Sequence, residues 1–516
     1  MSFLRGALRF SSLAVLSGLG AASALAGQPP GLLSPEEVGR PGSSEAQYGR
    51  ALATVVLRER TSIAVTATGS GIVEVARRDP SKATWLRRFS RVGPSSIRPL
   101  LARGPNGQIA AAWISGGRAV LSTRDPASGR WREVEALSDG GVSVVRLAAG
   151  LDGDILVAWV RDDRLYARLR RAGSERFGPL QAITSDPAQL TLSETPLLVD
   201  EFGDGAIAWS EQPLSERTSA RVVERVALRP SGDDASWTTP EALPAGRSDQ
   251  MTPPVLGADA AGTITAAWIE DGVVKTADRT SSGEAWMLDP NSVFASPPSL
   301  TSVVLTIEPS GRAVMAAIER VGPTLSAVRV ASRDGSADRW NEAGVSPARR
   351  SSGTESLAIA TTALGDAVVA HGRSGPPCAM TVTVLATGDR RRGDPAQVNG
   401  MCEVVGVSTD ATGDVLVTGV GSDGTLRTAL RPEGGLVLDL ESAPSGRVRL
   451  RASAPSRVAI TIQAGSKVVA RRTTVATTGW RTLTISGLRS PGRYQVLAKA
   501  TSGSAASRVE TLPLIK

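Results

Sequence analysis

One short pattern recurs along most of the chain: a glycine, then mainly apolar residues, then a tryptophan six positions after the glycine. Its four clear copies are GQIAAAW (107–113), GDILVAW (153–159), GDGAIAW (203–209) and GTITAAW (262–268). Degenerate copies end at the equivalent positions Ala67, Ala317, His371 and Gly419. We call these eight end positions the anchors; neighbouring anchors are 46 to 59 residues apart. Repetition at this spacing predicts a chain built from similar stacked units.

Each unit also carries a second aromatic and a regular series of short β-type runs. Trp85, Trp131, Phe177 and Trp286 each lie 18 residues after their anchor. In the second unit, turn residues separate four runs, over 98–103, 108–115, 118–124 and 131–136. The second run is apolar on both faces, which predicts a strand that is covered on both sides. Four strands in a unit of this length are typical of a β-propeller blade.

The pattern therefore predicts an all-β fold in which residues 51–440 form a β-propeller. We count eight four-stranded blades, and seven or six remain open because the first and last copies are degenerate. A solenoid is the architectural alternative, but its rungs are usually shorter and it needs polar capping repeats. Tight hairpin turns are expected where small or acidic pairs separate two runs. These pairs are Gly116-Gly117, Asp162-Asp163, Asp271-Gly272 and Asp423-Gly424.

The N-terminal residues 1–26 have the parts of a secretory signal peptide. Arg5 and Arg9 precede a short apolar run, and Ala24-Leu25-Ala26 matches a small-x-small cleavage site. The run is too short and too interrupted to span a bilayer. We expect cleavage before Gly27, then a flexible lead-in over residues 27–50. The mature protein is expected outside the cell or at the cell envelope, with no transmembrane segment.

Export bears on the two cysteines, Cys378 and Cys402, which are the only ones in the chain. Disulfides persist in oxidising compartments. A disulfide between them is favoured over two buried thiols. With one histidine and two cysteines, a four-ligand His/Cys zinc site cannot be assembled. A catalytic triad would have to use the single imidazole. No metal and no cofactor are expected.

From about residue 445 a different alternation begins, and it predicts a small β-sandwich over residues 445–516. Residues 488–494, with Pro491-Gly492 leading into Tyr494, resemble the strand entry of fibronectin-III and immunoglobulin-like domains. Residues 447–516 contain 13 lysines and arginines against Glu510 alone. The signal peptide carries two more basic residues, so the body, 27–446, is acidic although the whole chain has a net charge of +8.

A basic tail on an acidic body suggests binding to an anionic cell-wall polymer or carbohydrate. A solvated, arginine-biased surface with no partner is the alternative. Nucleic acid is not expected, because only Trp480 and Tyr494 would be available for base stacking in the tail.

Two kinds of polar residue in the repeats could bind a ligand or take part in catalysis, but each also has a structural interpretation. Asp200, Asp259, Glu308 and Asp410 each precede the repeat glycine by three residues. One carboxylate per turn is too few for calcium, so we interpret them as turn caps. His371 occupies an anchor position, so we interpret it as a packing residue rather than a catalytic base.

The segment before the second aromatic reads TRDPASGRW in the second unit (123–131) and SRDGSADRW in the sixth (332–340). It resembles the Asp box of sialidase-type propellers, although the spacing of Asp, Gly and Trp departs from that family's consensus. In the family this box is structural, so the resemblance implies a blade and not an activity. A sialidase would add a tyrosine nucleophile, and Tyr166, the only tyrosine in the repeats, is explained as strand filling. The chain as a whole resembles exported propellers of high-GC Gram-positive bacteria.

Insertions between the second and third strands of units four, six and seven mark the candidate binding surface. Such loops share one face of a propeller, and function concentrates on loops. The candidate ligand-binding residues are Glu211, Arg217, Glu319, Arg320 and Arg373, with neutral loop-length variation as the alternative. We expect a secreted, non-catalytic propeller that binds a ligand or acts as a scaffold at the cell envelope. The alternatives are a carbohydrate-active propeller enzyme that uses two carboxylates, and a structural or adhesive envelope protein.

Overall fold

The computed structural model describes most of the chain from Pro35 onwards. The described residues are 35–39, 52–56, 62–67, 73–78, 85–93, 97–104, 108–150, 152–193, 195–200, 202–214, 222–232, 235–244, 252–280, 285–291, 293–294, 299–308, 311–322, 325–335, 339–345, 349–350, 355–362, 366–373, 378–385, 396–409, 414–431, 438–443, 447–452, 456–464, 467–477, 481–484, 493–502, 505–506 and 510–515. The predicted signal peptide and Arg217 lie outside these residues.

Residues 32–434 form one compact unit, an eight-bladed β-propeller in which each blade is an antiparallel sheet. The first, innermost strands are Leu52–Val56, Ile97–Arg103, Val142–Ala149, Leu197–Val199, Val255–Ala258, Leu300–Ile307, Glu355–Thr361 and Glu403–Thr409. The second strands are Ser62–Ala67, Ile109–Ser115, Ile155–Arg161, Gly205–Pro213, Ile264–Glu270, Arg312–Gly322, Ala367–Arg373 and Val415–Val420. The third strands are Val73–Arg78, Arg118–Arg124, Arg164–Arg170, Val223–Arg229, Val273–Arg279, Leu325–Asp334, Ala379–Leu385 and Leu426–Arg431.

The fourth, outer strands are mostly short. In blades 1 to 7 they are Trp85–Gly93, Glu135–Ala136, Gln181–Ala182, Glu241–Ala242, Met287–Leu288, Asn341–Val345 and Ala396–Asn399. Two blades carry a further strand: Ala188–Thr191 pairs with the second strand of blade 4, and Arg349–Arg350 pairs with the third strand of blade 6.

Blade 8 receives its fourth strand from the beginning of the chain. Glu36–Gly39 pairs antiparallel with Leu426–Arg431, although it lies within the segment predicted to be a flexible lead-in. The first strands contact one another around the ring, and the strand of blade 8 contacts that of blade 1. This pairing joins the start of the chain to the last blade. The added strand provides hydrogen-bond partners for the backbone groups at the outer edge of that blade's sheet.

The repeat glycine closes the turn between the first and second strands. In blade 4 the amide of Asp200 donates to the carbonyl of Asp204 at 3.0 Å, and Asp200 Oδ1 accepts the amides of Phe202 and Asp204 at 2.9 and 2.8 Å. Gly203 has a φ of 79°, a conformation that favours glycine. Asp259 accepts the same two bonds in blade 5, so both side chains cap turns as predicted.

The anchors fill the space between neighbouring blades. Trp113, Trp159, Trp209 and Trp268 are at most 1% exposed, and each packs into a cluster with residues of an adjacent blade. In blade 8 the anchor is Gly419. A Cβ there would lie 2.6 Å from Cε of Met380 and 3.0 Å from Cε of Met401. These two buried methionines occupy the space in place of a tryptophan.

A buried arginine accompanies the second aromatic in several blades and was not predicted from the sequence. It is the last or next-to-last residue of the third strand, seven residues before the aromatic, in four of the blades: Arg124 with Trp131, Arg170 with Phe177, Arg279 with Trp286 and Arg333 with Trp340. The guanidinium lies over the ring at 5.6 Å from the centroid for Arg170 and 4.9 Å for Arg333, as in cation–π contacts.

Two of these arginines also join adjacent blades by ion pairs. Arg333 donates to both carboxylate oxygens of Asp278 in blade 5, at 2.7 and 2.8 Å. Arg279 lies 2.5 Å from Glu241 of blade 4. The pair of Arg333 and Asp278 is buried, so removing either partner would leave an uncompensated charge between blades 5 and 6.

Three of the predicted tight turns are two-residue hairpins with positive φ at both positions: Gly116-Gly117, Asp162-Asp163 and Asp271-Gly272. The fourth prediction was wrong. The strands of blade 8 end at Val420 and begin again at Leu426, so Asp423-Gly424 lies within a five-residue turn. Its amides bond within the turn, with Gly424 donating to the carbonyl of Gly421 at 3.0 Å.

The junction of blades 7 and 8 is cross-linked and closely packed. Cys378, just before the third strand of blade 7, forms a disulfide with Cys402, just before the first strand of blade 8. A disulfide closing a loop of this length contributes about 3 kcal/mol. Beside it, the amide of Arg373 donates to the carbonyl of Cys402 at 2.5 Å. A Cβ on Gly372 would collide with that carbonyl and lie 2.7 Å from the amide nitrogen of Val404.

The C-terminal residues 435–516 belong to a second compact unit and form two packed sheets. One sheet contains Leu438–Ala443, Arg447–Ala452 and Arg481–Thr484; the other contains Ser456–Ala464, Lys467–Ala476, Arg493–Ser502, Ala505–Ala506 and Glu510–Ile515. Val448 and Leu450 of the first sheet and Ile460, Ile462 and Val496 of the second share one core. The β-sandwich prediction is confirmed. No helix among the described residues could cross a membrane.

We predict that Gly372→Ala destabilises the propeller, because the contacted atoms belong to backbone that cannot move aside without shifting blade 8. Overpacking of this kind costs about 1–3 kcal/mol. Thermal unfolding of the full chain measures the effect. Gly406→Ala is the matched control, since a Cβ at Gly406, in the first strand of blade 8, meets nothing within 4 Å. Equal midpoints for the two variants would contradict the prediction.

Candidate functional site

The position two residues after the anchor carries an ionisable side chain in five consecutive blades. These residues are Arg161, Glu211, Glu270, Glu319 and Arg373, in blades 3 to 7. Each lies on the second strand, at the propeller face where the second strand turns into the third. The three glutamates are therefore equivalent positions of neighbouring blades.

Glu211, Glu319 and Arg373 were predicted to lie in inserted loops, and the structure places them on strands. Glu211 pairs with Val223, Glu319 with Ala327 and Arg373 with Glu355. In blade 6 the insertion extends the hairpin, because the ladder between the second and third strands continues past the anchor to the pair Gly322 and Leu325. The structure thus brings Glu211 and Glu319 to matching heights, with Glu270 between them.

In blade 4 the glutamate is held by an indole and a guanidinium. Trp209 Nε1 donates to Glu211 Oε2 at 3.1 Å, and Arg225 Nε lies 3.2 Å from the same oxygen. Arg225 comes from the third strand, directly opposite the anchor Trp209. The side chains of Glu211 and Arg225 remain 21% and 30% exposed, so a solvent-borne ligand can reach them.

Blade 6 repeats this arrangement with a second carboxylate. Arg329, opposite the anchor Ala317, lies 3.6 Å from Glu319 Oε1. It also donates from Nε and Nη2 to the two carboxylate oxygens of Glu342, at 2.8 and 2.7 Å. Its guanidinium lies over the ring of Phe294, 5.3 Å from the centroid. A bidentate pair that is also stacked fixes the guanidinium plane.

Blade 5 carries the same residue types without the extension. Glu270 ends its second strand, and Lys275 lies opposite the anchor Trp268 on the third strand. The hairpin closes at once through Asp271 and Gly272. Blade 5 is therefore lower on this face than the blades on either side.

The difference in strand length forms a trough above blade 5. The second strand continues four residues past the anchor in blade 4 and five in blade 6, but only two in blade 5. At about 3.3 Å per residue, the walls rise about 7 and 10 Å above the floor. We use the name blade 5 trough for this surface together with the charged sets at its level: Glu211 and Arg225 on the blade 3 side of the blade 4 wall, Glu270 and Lys275 on the blade 4 side of the floor, and Glu319 and Arg329 on the blade 5 side of the blade 6 wall.

Each wall of the blade 5 trough is supported by one of the two additional strands. Ala188–Thr191 pairs with Ser210–Pro213, the extended part of the blade 4 wall, and Arg349–Arg350 pairs with Leu325 and Ser326 in the blade 6 wall. Arg320 is exposed on the blade 6 wall, and its amide donates to the carbonyl of Ser299 at 3.0 Å. The walls are thus ordered structure, which suits a preformed binding site.

A buried glutamate lies behind the trough, between blades 4 and 5. Ser210 Oγ donates to Glu224 Oε2 at 2.5 Å, and Glu224 is 7% exposed. Oε1 is buried and has no hydrogen-bond partner among the described residues. Burial, assisted by the nearby charge of Glu270 and opposed by the bond from Ser210, raises the pKa of Glu224 to about 7.

Blade 7 places the single histidine beside a carboxylate. His371 Nε2 lies 3.7 Å from Glu355 Oε1, and both side chains are 11% exposed. Ser326 Oγ donates to the same carboxylate oxygen. His371 fills its anchor position between strands that carry Leu357 and Thr381. Arg373 adjoins Glu355 on the neighbouring strand and lies outside the blade 5 trough.

A groove of about 640 Å³ lies between blades 3 and 4, at the propeller face opposite the hairpins that join the second and third strands. Two of the arginines that line it hold turns together. Arg171 lies 2.5 Å from Asp154 and donates to the carbonyl of Gly232 at 2.7 Å, and Arg229 donates to the carbonyls of Pro230 and Gly232. The part of the chain that the structure describes contains no cluster of His, Cys, Asp or Glu that could hold a metal ion.

The cations of the trough were not predicted from the sequence. Arg225, Lys275 and Arg329 each pair with an anchor across the hairpin. In blade 5 the predicted two-residue turn at Asp271-Gly272 fixes the register, because counting residues outwards from both sides of the turn places Lys275 opposite Trp268. In blades 4 and 6 the pairing register cannot be read from the sequence, because the sequence does not show how many of the inserted residues lie outside the paired strands.

No protein-family model and no curated protein sequence matches the chain. Solved structures with a similar fold include the BP39L lectin from Burkholderia pseudomallei, at 13% identity and a TM-score of 0.45 over 72% of this chain and 99% of the lectin. The Dos1 propeller is 10% identical, with a TM-score of 0.49 over 78% and 94% of the two chains. A PL25 ulvan lyase is 10% identical, with a TM-score of 0.41 over 73% and 97%. These likenesses are too distant to assign an activity.

We predict that Glu224→Gln stabilises the propeller increasingly as the pH rises. An unfolded glutamate ionises near its ordinary pKa of 4.5, whereas the folded residue keeps its proton to about pH 7. The wild type therefore loses stability between these values, by about 3 kcal/mol in total, and the amide does not. Denaturant unfolding at pH 5 and pH 8 measures the difference. Glu133→Gln, at an exposed glutamate, is the control, and a Glu224→Gln gain that does not grow with pH contradicts the prediction.

Proposed function

We propose that this chain is an exported, non-catalytic binding protein of the cell envelope whose propeller binds carbohydrate in the blade 5 trough. The observation that carries the proposal is the occurrence of equivalent carboxylate–cation sets on three neighbouring blades, two of which form raised walls. The repeated geometry suits an extended, repetitive ligand such as an oligosaccharide.

The chemistry of the trough favours hydroxyl groups. A carboxylate accepts hydrogen bonds from sugar hydroxyls, and a guanidinium or ammonium donates to their oxygens, so each set can serve one hydroxyl pair. Hydrogen bonds to charged groups contribute about 1.5–3 kcal/mol each. Since Glu211 and Arg329 already have fixed partners, little ordering is needed when the ligand binds.

The same contacts argue against the alternative of a carbohydrate-active enzyme. Glycoside hydrolysis uses two carboxyl groups on either side of the scissile bond, one of them protonated. Glu211 and Glu319 each lie against an arginine. Glu224, the carboxyl with a pKa near 7, is buried between the blades. The innermost strands of blades 6 to 8 carry mainly Val, Ala, Ser and Thr, with glutamates only at Glu355 and Glu403.

Location at the cell envelope is part of the proposal. It rests on the predicted signal peptide, on the disulfide between Cys378 and Cys402, and on the basic charge of residues 447–516. We propose that the C-terminal unit is a fibronectin-III or immunoglobulin-like sandwich that binds an anionic cell-wall polymer. The high arginine content is consistent with the proposed origin in a high-GC bacterium.

A glycan array probed with the exported chain, residues 27–516, tests the proposal for the trough. We expect binding to a subset of oligosaccharides that falls at least tenfold in Glu211→Gln and in Glu319→Gln, because each substitution removes a charged acceptor. Glu175→Gln changes an 83% exposed glutamate outside the trough and is expected to bind normally.

Two results would contradict the proposal. One is binding that none of the trough variants weakens by more than the control. The other is cleavage of the bound glycan, seen as new reducing ends or unsaturated products, which would favour the enzyme. Thermal unfolding of each variant separates a loss of binding from a loss of fold.

A further inference from the structure

The larger sheet of the C-terminal unit has one buried face and one exposed face. Along Ser456–Ala464 the side chains of Val458, Ile460 and Ile462 are buried and those between them face outwards. Lys467–Ala476 is exposed along nearly its whole length, because it is the edge strand of this sheet. We call the exposed side the outer face of the C-terminal sheet.

The register places three cations on this outer face. Arg457 lies between Val475 and Thr501 on the neighbouring strands. Two residues along, Ala459 lies between Thr473 and Lys499, and two further on, Thr461 lies between Arg471 and Leu497. Arg457, Lys499 and Arg471 are all exposed. Diagonal neighbours in a sheet are about 7–8 Å apart, so the charges of Arg457 and Lys499 act on the same stretch of a bound chain.

Acidic side chains are not found on the described part of this face. The acidic residue of the described strands in this sheet, Glu510, pairs with Ala498, and Ala498 points into the core. Lys467 and Arg472 on the exposed edge strand add further positive charge. A group of like charges without counter-charges is attracted strongly to polyanions and repelled by other cations.

The remaining residues of the face distinguish between kinds of anionic partner. Thr461, Thr473 and Thr501 lie beside the cations, and Gln463 and Gln495 lie next along the strands; together they supply hydroxyl and amide groups. The aromatic of these described strands, Tyr494, packs against the core, so the strands that the structure describes offer no stacking platform for neutral sugars on this face. A membrane surface favours aromatic and long apolar side chains, and the large exposed apolar residues in the described part of this sheet are three valines, Val468, Val469 and Val475.

We propose that the outer face of the C-terminal sheet binds a linear envelope polymer with phosphate groups in its repeat, through Arg457, Arg471 and Lys499. The inference rests on the proposed envelope function and names the surface and the ligand chemistry. It is independent of the blade 5 trough. Binding is driven by release of the counterions that surround the polymer, so it weakens as salt increases.

Long-chain inorganic polyphosphate is the probe, immobilised and titrated with the full exported chain at low and high salt. The test variant combines Arg457→Gln, Arg471→Gln and Lys499→Gln. The matched control combines Arg118→Gln, Arg130→Gln and Arg176→Gln, which removes the same charge from exposed positions of the propeller. At about fivefold per cation, we expect the test variant to lose about 100-fold in affinity at low salt and the control to lose less than fivefold.

Four distinguishable outcomes would overturn this inference, and one of them would also overturn the proposed anionic envelope partner. Absence of wild-type binding to polyphosphate at low salt overturns both this inference and the proposed anionic envelope partner. Equal losses in the test and control variants overturn the assignment to this face alone. Tighter binding to anionic phospholipid vesicles than to polyphosphate indicates a membrane surface instead. Tighter binding to polygalacturonate indicates carboxylate groups, and glycan binding by the test variant reports separately on the trough.

Discussion

The propeller depends on the side chains that each second strand places between its own blade and the preceding one. Trp113, Trp159, Trp209 and Trp268 are completely or almost completely buried there, and replacing such a residue with alanine costs about 3–5 kcal/mol. A blade cannot bury both faces of this strand alone, so it is stable only between two neighbours. Closure of the ring by Glu36–Gly39 gives the last blade its outer strand.

Blades 6 to 8 satisfy the same requirement without a tryptophan at the anchor. In blade 8, Met380 and Met401 reach the space next to Gly419, and in blade 6 the anchor Ala317 shares a cluster with Phe294 and Trp340. Flexible methionines, or aromatic side chains from other parts of the blades, thus fill the space that a tryptophan fills in blades 2 to 5. Packing to uniform density is the constraint, and the identity of the residue is secondary.

Because packing of the blades does not depend on the ends of the hairpins, the hairpins can differ in length from blade to blade. The candidate site lies at these hairpin ends. Residues up to the anchor are committed to packing, whereas residues beyond it extend above the core. The walls of the blade 5 trough are extensions of this kind, each paired with an additional strand. The outer face of the C-terminal sheet follows the same principle, because only alternate residues of Ser456–Ala464 are needed for the core.

The sequence by itself determined the repeat unit, the blade type, the capping role of Asp200 and the three two-residue hairpins, because these depend on residues close together in the chain. Only the tertiary structure decided that Glu36–Gly39 completes blade 8, that Arg333 pairs with Asp278 of the preceding blade, and that Glu211 and Glu319 stand on either side of Glu270. These relations join residues that lie far apart in the sequence, and the insertions in blades 4 and 6 conceal the register that would connect them. Local periodicity carries information about strands and turns, whereas the juxtaposition of blades is fixed by ring closure and packing, which no single repeat encodes.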